Sequence, residues 1–212
     1  MLGPLIGLIA VGALFAILEP RSFLSVYNFQ TIAAQTVIVG FGAIGMTFVI
    51  VAGGIDLSLG SAIALVSVVT ALCLKVGWSP MAAVAAGIGT GALLGLLNGI
   101  LITRLQVVPF IVTLGTMTFY RGLALSYTNG QPILSMPDGF KQALGGTVAG
   151  LPMPLVIAVL LVILGSLLLR YTKTGQYILA IGGNAEAVRL SGINVSRYTT
   201  LTYVISGVMA AV

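Results

Sequence analysis

Residues 51–61 read VAGGIDLSLGS and set Gly53-Gly54, Asp56 and Ser58 between two apolar runs, 31–52 and 58–76. Each run approaches the 20 or so residues that a helix needs to cross a hydrocarbon core about 30 Å thick, and they leave no room for a solvent loop. The glycine pair is expected to break the first helix. A carboxylate at a bilayer centre costs about 2.5–3.5 kcal/mol, so Asp56 needs a reason to be there. One reason is capping: Asp56 or Ser58 accepts orphan amide hydrogens of the next helix, where the dipole favours negative charge. The other is a polar lining at a broken helix, where transporters handle solutes. Both can hold at once.

Composition carries this reading to the whole chain. Of 212 residues 58% are hydrophobic and 6% charged, and the mean hydropathy is +1.17; soluble domains carry roughly a quarter charged residues. The fold class is therefore all-α, a polytopic transmembrane helical bundle with a broken helix near 53–58. Seven apolar spans are expected, near 2–18, 31–52, 58–76, 80–102, 109–127, 153–169 and 198–212. The first has no basic residues ahead of it and meets Glu19-Pro20, which is unlike a cleaved signal peptide. The last runs to Val212 in mid-pattern, so the chain reads as part of a longer protein. With one cysteine, Cys73, and no histidine, metal ligation, intrachain disulfides and a catalytic nucleophile–base pair are not expected. Nine lysines and arginines against four acids mark span ends and not a nucleic-acid surface, since no basic run with interleaved aromatics exists.

The densest basic cluster, Arg170, Lys173, Arg189 and Arg197, falls in the segment 170–197, which is placed in the cytoplasm because such residues collect there. Counting back through the spans puts Arg104 inside as well, and Arg21, Lys75, Arg121 and Lys141 outside or near outer ends. Glycines recur every fourth residue at Gly87, Gly91 and Gly95, a spacing that lets helices approach closely in lipid. Packing within the chain is the expected use, ahead of a dimerisation face. Asn98, Thr113 and Arg121 are the further polar positions expected near a path; each could also simply bond a neighbouring helix.

Within the cytoplasmic segment, residues 182–193 read GGNAEAVRLSGI and carry the signals of a short helix. Asn184 suits the N-cap, Glu186 the first turn, Arg189 the last, and Gly192 the C′ position. About two turns of helix are marginal alone in water, so this one must lie against something. A phosphate-binding loop is excluded because no strand precedes the glycines and their spacing fits neither phosphate motif.

Three stretches, VAGGIDLSLGS, LLNGILITRLQVVPFIVTLGTMTFYRGLALSYTNGQPI (96–133) and TGQYILAIGGNAEAVRLSGINVSRY (174–198), resemble in order and spacing the permease subunits of bacterial ABC sugar importers of the ribose, xylose and galactose type. The resemblance implies a single permease domain over 1–212 whose cytoplasmic segment 175–193 is the coupling helix. It places Gly182, Gly183, Asn184, Glu186, Ala187, Arg189, Leu190, Ser191 and Gly192 against a partner ATPase. It also implies a second permease copy, a periplasmic or lipid-anchored sugar-binding protein, and a multi-pass location in the bacterial inner membrane. No cofactor is expected on this chain; it has no GKS or GKT loop, so ATP would be bound by separate subunits. Asp56, Ser58, Asn98, Thr113 and Arg121 are the candidates for the translocation path, since hydroxyl-rich solutes need fixed hydrogen-bonding groups. An ion-coupled secondary transporter is the alternative, with Asp56 as its only deep acid.

Overall fold

The structure, a computed structural model, describes residues 3–133, 137, 140, 146–148 and 151–212. Lys141 and most of the segment placed outside around it lie beyond the described residues. Nine helices are described: α1 (Gly3–Leu18), α2 (Pro20–Phe23), α3 (Val26–Val51), α4 (Leu59–Lys75), α5 (Pro80–Leu105), α6 (Pro109–Thr128), α7 (Met153–Tyr171), α8 (Lys173–Leu190) and α9 (Val195–Met209). The only sheet among the described residues is an antiparallel pair of two-residue strands, β1 (Thr147–Val148) and β2 (Leu151–Pro152). The all-α reading therefore holds, and each of the seven expected spans is a helix. Three of them, Val26–Val51, Pro80–Leu105 and Met153–Tyr171, are long and apolar enough to cross a membrane, and Gly3–Leu18 and Leu59–Lys75 are shorter apolar helices.

The chain divides into two compact units, residues 1–39 and 40–212. In the first, Phe15 of α1 stacks on Phe23 of α2 with centroids 5.8 Å apart. Ser25 accepts the Asn28 amide hydrogen and so caps the start of α3. Helix α1 is apolar and buries no residue, as suits a helix whose solvent is lipid.

In the second unit α5 is the central post, packed on α4 and along the whole of α9. Local chemistry sets its ends: Pro80 opens it, the Ser79 hydroxyl accepts the Ala82 amide hydrogen at 3.3 Å, and Gln106 closes it in the left-handed region. Pro109 then opens α6. The glycine stripe is used inside the chain. A Cβ on Gly91 or Gly95 would overlap the carbonyl oxygens of Gly207 or Tyr203 in α9, and one on Gly87 would overlap Thr70 of α4. With no side chain between them, the α5 and α9 backbones touch directly, which is how helices gain contact in lipid.

Beyond Tyr171 the helix is longer than the cap signals of 182–193 predict: α8 already begins at Lys173, capped by the Thr172 hydroxyl on the Gly175 amide. Its first part buries one side, with Gly175, Ile178 and Ile181 at the three-residue spacing of one helix face. Two glycines in that stretch hide the pattern. Val49, Ile102, Val112 and Tyr203 form one buried cluster, against which Val107 packs. Together with the 3.1 Å contact between the Thr103 and Thr200 hydroxyls, this puts the end of α3, the α5–α6 turn and the first half of α9 at one end of the bundle, and Gly182 of α8 lies against Val51 there.

Candidate functional site

Two features stand at that end: the break between α3 and α4, and the exposed second half of α8. The break is built by a glycine cap. Gly53 has φ +80°, its amide bonds Ile50 O at 2.9 Å, and the Gly54 amide bonds Val49 O at 2.8 Å. This is the paired pattern that terminates helices at a left-handed residue. Gly54 is also needed for space, because a Cβ there would overlap the Tyr203 hydroxyl.

After the break, Asp56 is 3% exposed and Ser58 1%. One Asp56 carboxylate oxygen accepts from the Ser58 amide at 3.0 Å and the Ser58 hydroxyl at 2.6 Å, and the other accepts from the Ser206 hydroxyl of α9 at 3.0 Å. The Ser58 hydroxyl in turn accepts from Asn98 Nδ2 at 2.7 Å. Tyr120 points its hydroxyl at Leu94 O, 2.9 Å away, and at Asn98 Oδ1, 3.3 Å away. Tyr203 donates to Ile55 O at 3.2 Å; Thr113 donates to Pro109 O at 2.9 Å with Ile55 O at 3.4 Å. No buried side-chain nitrogen or oxygen among the described residues lacks a partner, which is what a polar group far from water requires.

The expected cap takes a different form. Ser58 occupies the N-cap of α4, but its φ/ψ of −77°, −14° are already helical and its side chain makes no cap bond. Its hydroxyl turns to Asp56 and Asn98 instead. Asp56 accepts the amide two residues on, an Asx turn leading into the helix, and the carboxylate ties that turn to α9.

Four of the five polar candidates, Asp56, Ser58, Asn98 and Thr113, thus meet in one buried network. Arg121 stands apart: it is exposed and lines a separate cavity of about 400 Å³ with Ser67, Thr128 and Gln131. Ser206, Tyr203 and Tyr120 complete the network and were not singled out from the sequence. The available signal was their polarity inside the apolar runs 198–212 and 109–127.

The second half of α8 carries the features expected of it. Asn184 leaves helical geometry at φ −158°, ψ 93°, and its side chain accepts the Ala187 amide hydrogen at 3.0 Å. At the other end Gly192 has φ +80°; its amide bonds Arg189 O at 3.0 Å, and that of Ile193 bonds Val188 O at 3.4 Å. Both termini are therefore satisfied locally. Arg189 Nε donates to Glu186 at 2.9 Å, the only ion pair among the described residues. The hydrogen bond from Arg189 holds the Glu186 carboxyl below its ordinary range, and the same bond raises Arg189. Both side chains are exposed, so the pair orders the surface and contributes little to stability. Val188 is buried, while Leu190 is 76% exposed. The result is a short helix, capped at both ends, presenting Ala185, Glu186, Ala187, Arg189 and Leu190 to the outside.

A family model described as branched-chain amino acid transport system / permease component matches residues 28–212. Ribose import permease protein RbsC of Bacillus subtilis is 42% identical over 212 residues, an alignment covering 99% of this chain and 66% of the relative. The protein of the same name in Escherichia coli is 36% identical over 211 residues, 98% of this chain and 65% of the relative. Galactofuranose transporter permease protein YtfT of Escherichia coli is 42% identical over 170 residues, 80% of this chain and 50% of the relative. The chain thus spans just under two thirds of the length of the first two. No solved structure matches it significantly.

Proposed function

We infer the function from one premise: the chain belongs to the permease-component family of branched-chain amino acid transport systems. It is read as a multi-pass permease of the bacterial inner membrane. With a second copy or a close paralogue, it forms the path for a monosaccharide or related small polar solute in an ATP-binding-cassette importer. The observation that carries this is the similarity, across nearly the whole chain, to permeases named for ribose and, over 80% of it, to one named for galactofuranose. Under this reading ATP is hydrolysed by separate subunits, and a periplasmic or lipid-anchored binding protein delivers the solute.

The geometry supports the reading in two ways. The α3–α4 break, the α5–α6 turn with Arg104, and α8 with Lys173 and Arg189 share one end, so one placement puts this basic group in the cytoplasm. The capped second half of α8, residues 184–190 with Gly192 behind it, is exposed at that end and is the element suited to dock on an ATPase. The path itself is proposed to run past the Asp56–Ser58–Asn98 network and Thr113, with Arg121 and its cavity nearer the outer face.

Reconstituted in liposomes as the full assembly, the transporter is expected to take up a pentose or hexose only when ATP, its ATPase and its binding protein are all present. Uptake driven by a proton or sodium gradient without ATP would replace this reading with ion-coupled transport, for which Asp56 would be the coupling acid.

A further inference from the structure

Helix α8 meets the α3–α4 break backbone to backbone. A Cβ on Gly182 would overlap the Val51 carbonyl oxygen and lie 2.9 Å from the Val51 carbonyl carbon. Gly53 closes the same contact from the other side, its own Cβ position lying 3.9 Å from the Gly182 Cα. Two backbones therefore meet with no side chain between them, at the residue where α3 ends. Gly182 is also placed at a joint in its own element, two residues before the non-helical Asn184.

The start of α8 is held on two sides. Gly175 packs directly on the backbone of Leu168 and Leu169 in α7, and Tyr177 meets Tyr198 of α9 edge to face at 5.1 Å. On the far side of the break, Tyr203 bonds Ile55 and Ser206 bonds Asp56, both from α9. The break is thus gripped between α8 and α9. A displacement of α8 has a short physical route through Val51 into the Gly53–Asp56 turn, and from Asp56 through Ser58 to Asn98 of α5.

We propose that Gly182 is a positioning residue that seats the cytoplasmic helix on the end of α3, so that movement of the exposed half of α8 is delivered to the α3–α4 break. The proposal rests on the importer reading above and adds where the motion enters the membrane part. Tightly packed backbones transmit small shifts because they cannot deform continuously.

In the complete assembly with its ATPase and binding protein, Gly182→Ala is expected to lower the ratio of substrate-stimulated to basal ATP hydrolysis by about tenfold, with the permease still co-purifying with the ATPase. Gly60→Ala, just inside α4 where an added Cβ meets nothing within 4 Å, is expected to keep the wild-type ratio. Should Gly182→Ala fail to assemble, hydrogen exchange on the wild-type assembly decides. Trapping with a non-hydrolysable ATP analogue is expected to change amide protection in residues 49–56 together with 178–184. A normal ratio in Gly182→Ala, or protection in 49–56 that ATP does not alter, overturns the proposal and leaves the importer reading standing. A wild-type assembly whose ATPase is not stimulated by substrate overturns both.

Discussion

Replacing Asp56 by leucine is expected to lower the detergent melting temperature of the permease by roughly 5 °C or more, from a loss of about 3 kcal/mol or above. The carboxylate takes three hydrogen bonds in a site where it is 3% exposed. Leucine leaves the Ser58 amide and the Ser206 hydroxyl without partners, and a buried unsatisfied donor costs about 1–3 kcal/mol. Asp56→Asn keeps most of this. Its Oδ1 still accepts from Ser58, and the Ser206 hydroxyl can turn to accept from the new Nδ2, so a loss near 1 kcal/mol is expected. Thermal unfolding of both variants in one detergent measures the difference. Equal losses would mean that the negative charge itself stabilises this end of the bundle and that the hydrogen-bond account is wrong.

A second large effect is expected at Gly95. Its α5 backbone lies against Tyr203 of α9 so closely that a methyl group overlaps the Tyr203 carbonyl. Gly95→Ala should cost about 2 kcal/mol through forced separation of the helices. Gly95→Val should abolish most of the folded yield, because parting α5 from α9 also pulls Tyr203 from Ile55 and Ser206 from Asp56. Gly89 is the control. It sits on the same helix with nothing within 4 Å of an added Cβ, so Gly89→Ala is expected to be neutral or to gain up to about 1 kcal/mol of helix propensity. Monodisperse yield and melting temperature would report this. A Gly95→Val protein as stable as Gly89→Ala would show that α5 and α9 do not pack as described.

Much of this architecture is written locally. Apolar runs mark the helices; Ser79-Pro80, Pro109 and Asn194 mark starts, and Gly53 and Gly192 mark stops. Asn184 and Gly192 bracket the exposed half of α8 in the chemistry of caps, which needs only a few neighbouring residues. What was not legible depends on pairings distant in sequence. Ser206 is one hydroxyl in an apolar span until α9 brings it to Asp56, 150 residues away. The seat of Gly182 on Val51 is a meeting of two backbones, so no side chain advertises it. The first part of α8 precedes Asn184, the N-cap signal that the segment offers, and Gly175 and Gly182 bring no apolar side chain to mark its face; each is small because another backbone occupies the place of its Cβ. Asp56 or Ser58 was expected to cap α4; Ser58 is already helical and its side chain makes no cap bond, while Asp56 accepts the Ser58 amide and is tied to α9 through Ser206.

On the importer reading, the exposed half of α8 docks on an ATPase and carries its closure into the bundle. A cysteine at position 187 in the assembled transporter, with and without Glu186→Arg, reports on that docking. The Ala187 side faces outward beside the Glu186–Arg189 pair, and reversing one exposed charge costs the fold only about 0.3–1 kcal/mol of dipole interaction. The expected result is a cross-link from Ala187→Cys to the ATPase subunit, and a loss of substrate-stimulated ATP hydrolysis in Glu186→Arg with a normal melting temperature. Normal stimulation in Glu186→Arg, with no cross-link from any position between 184 and 191, would contradict it.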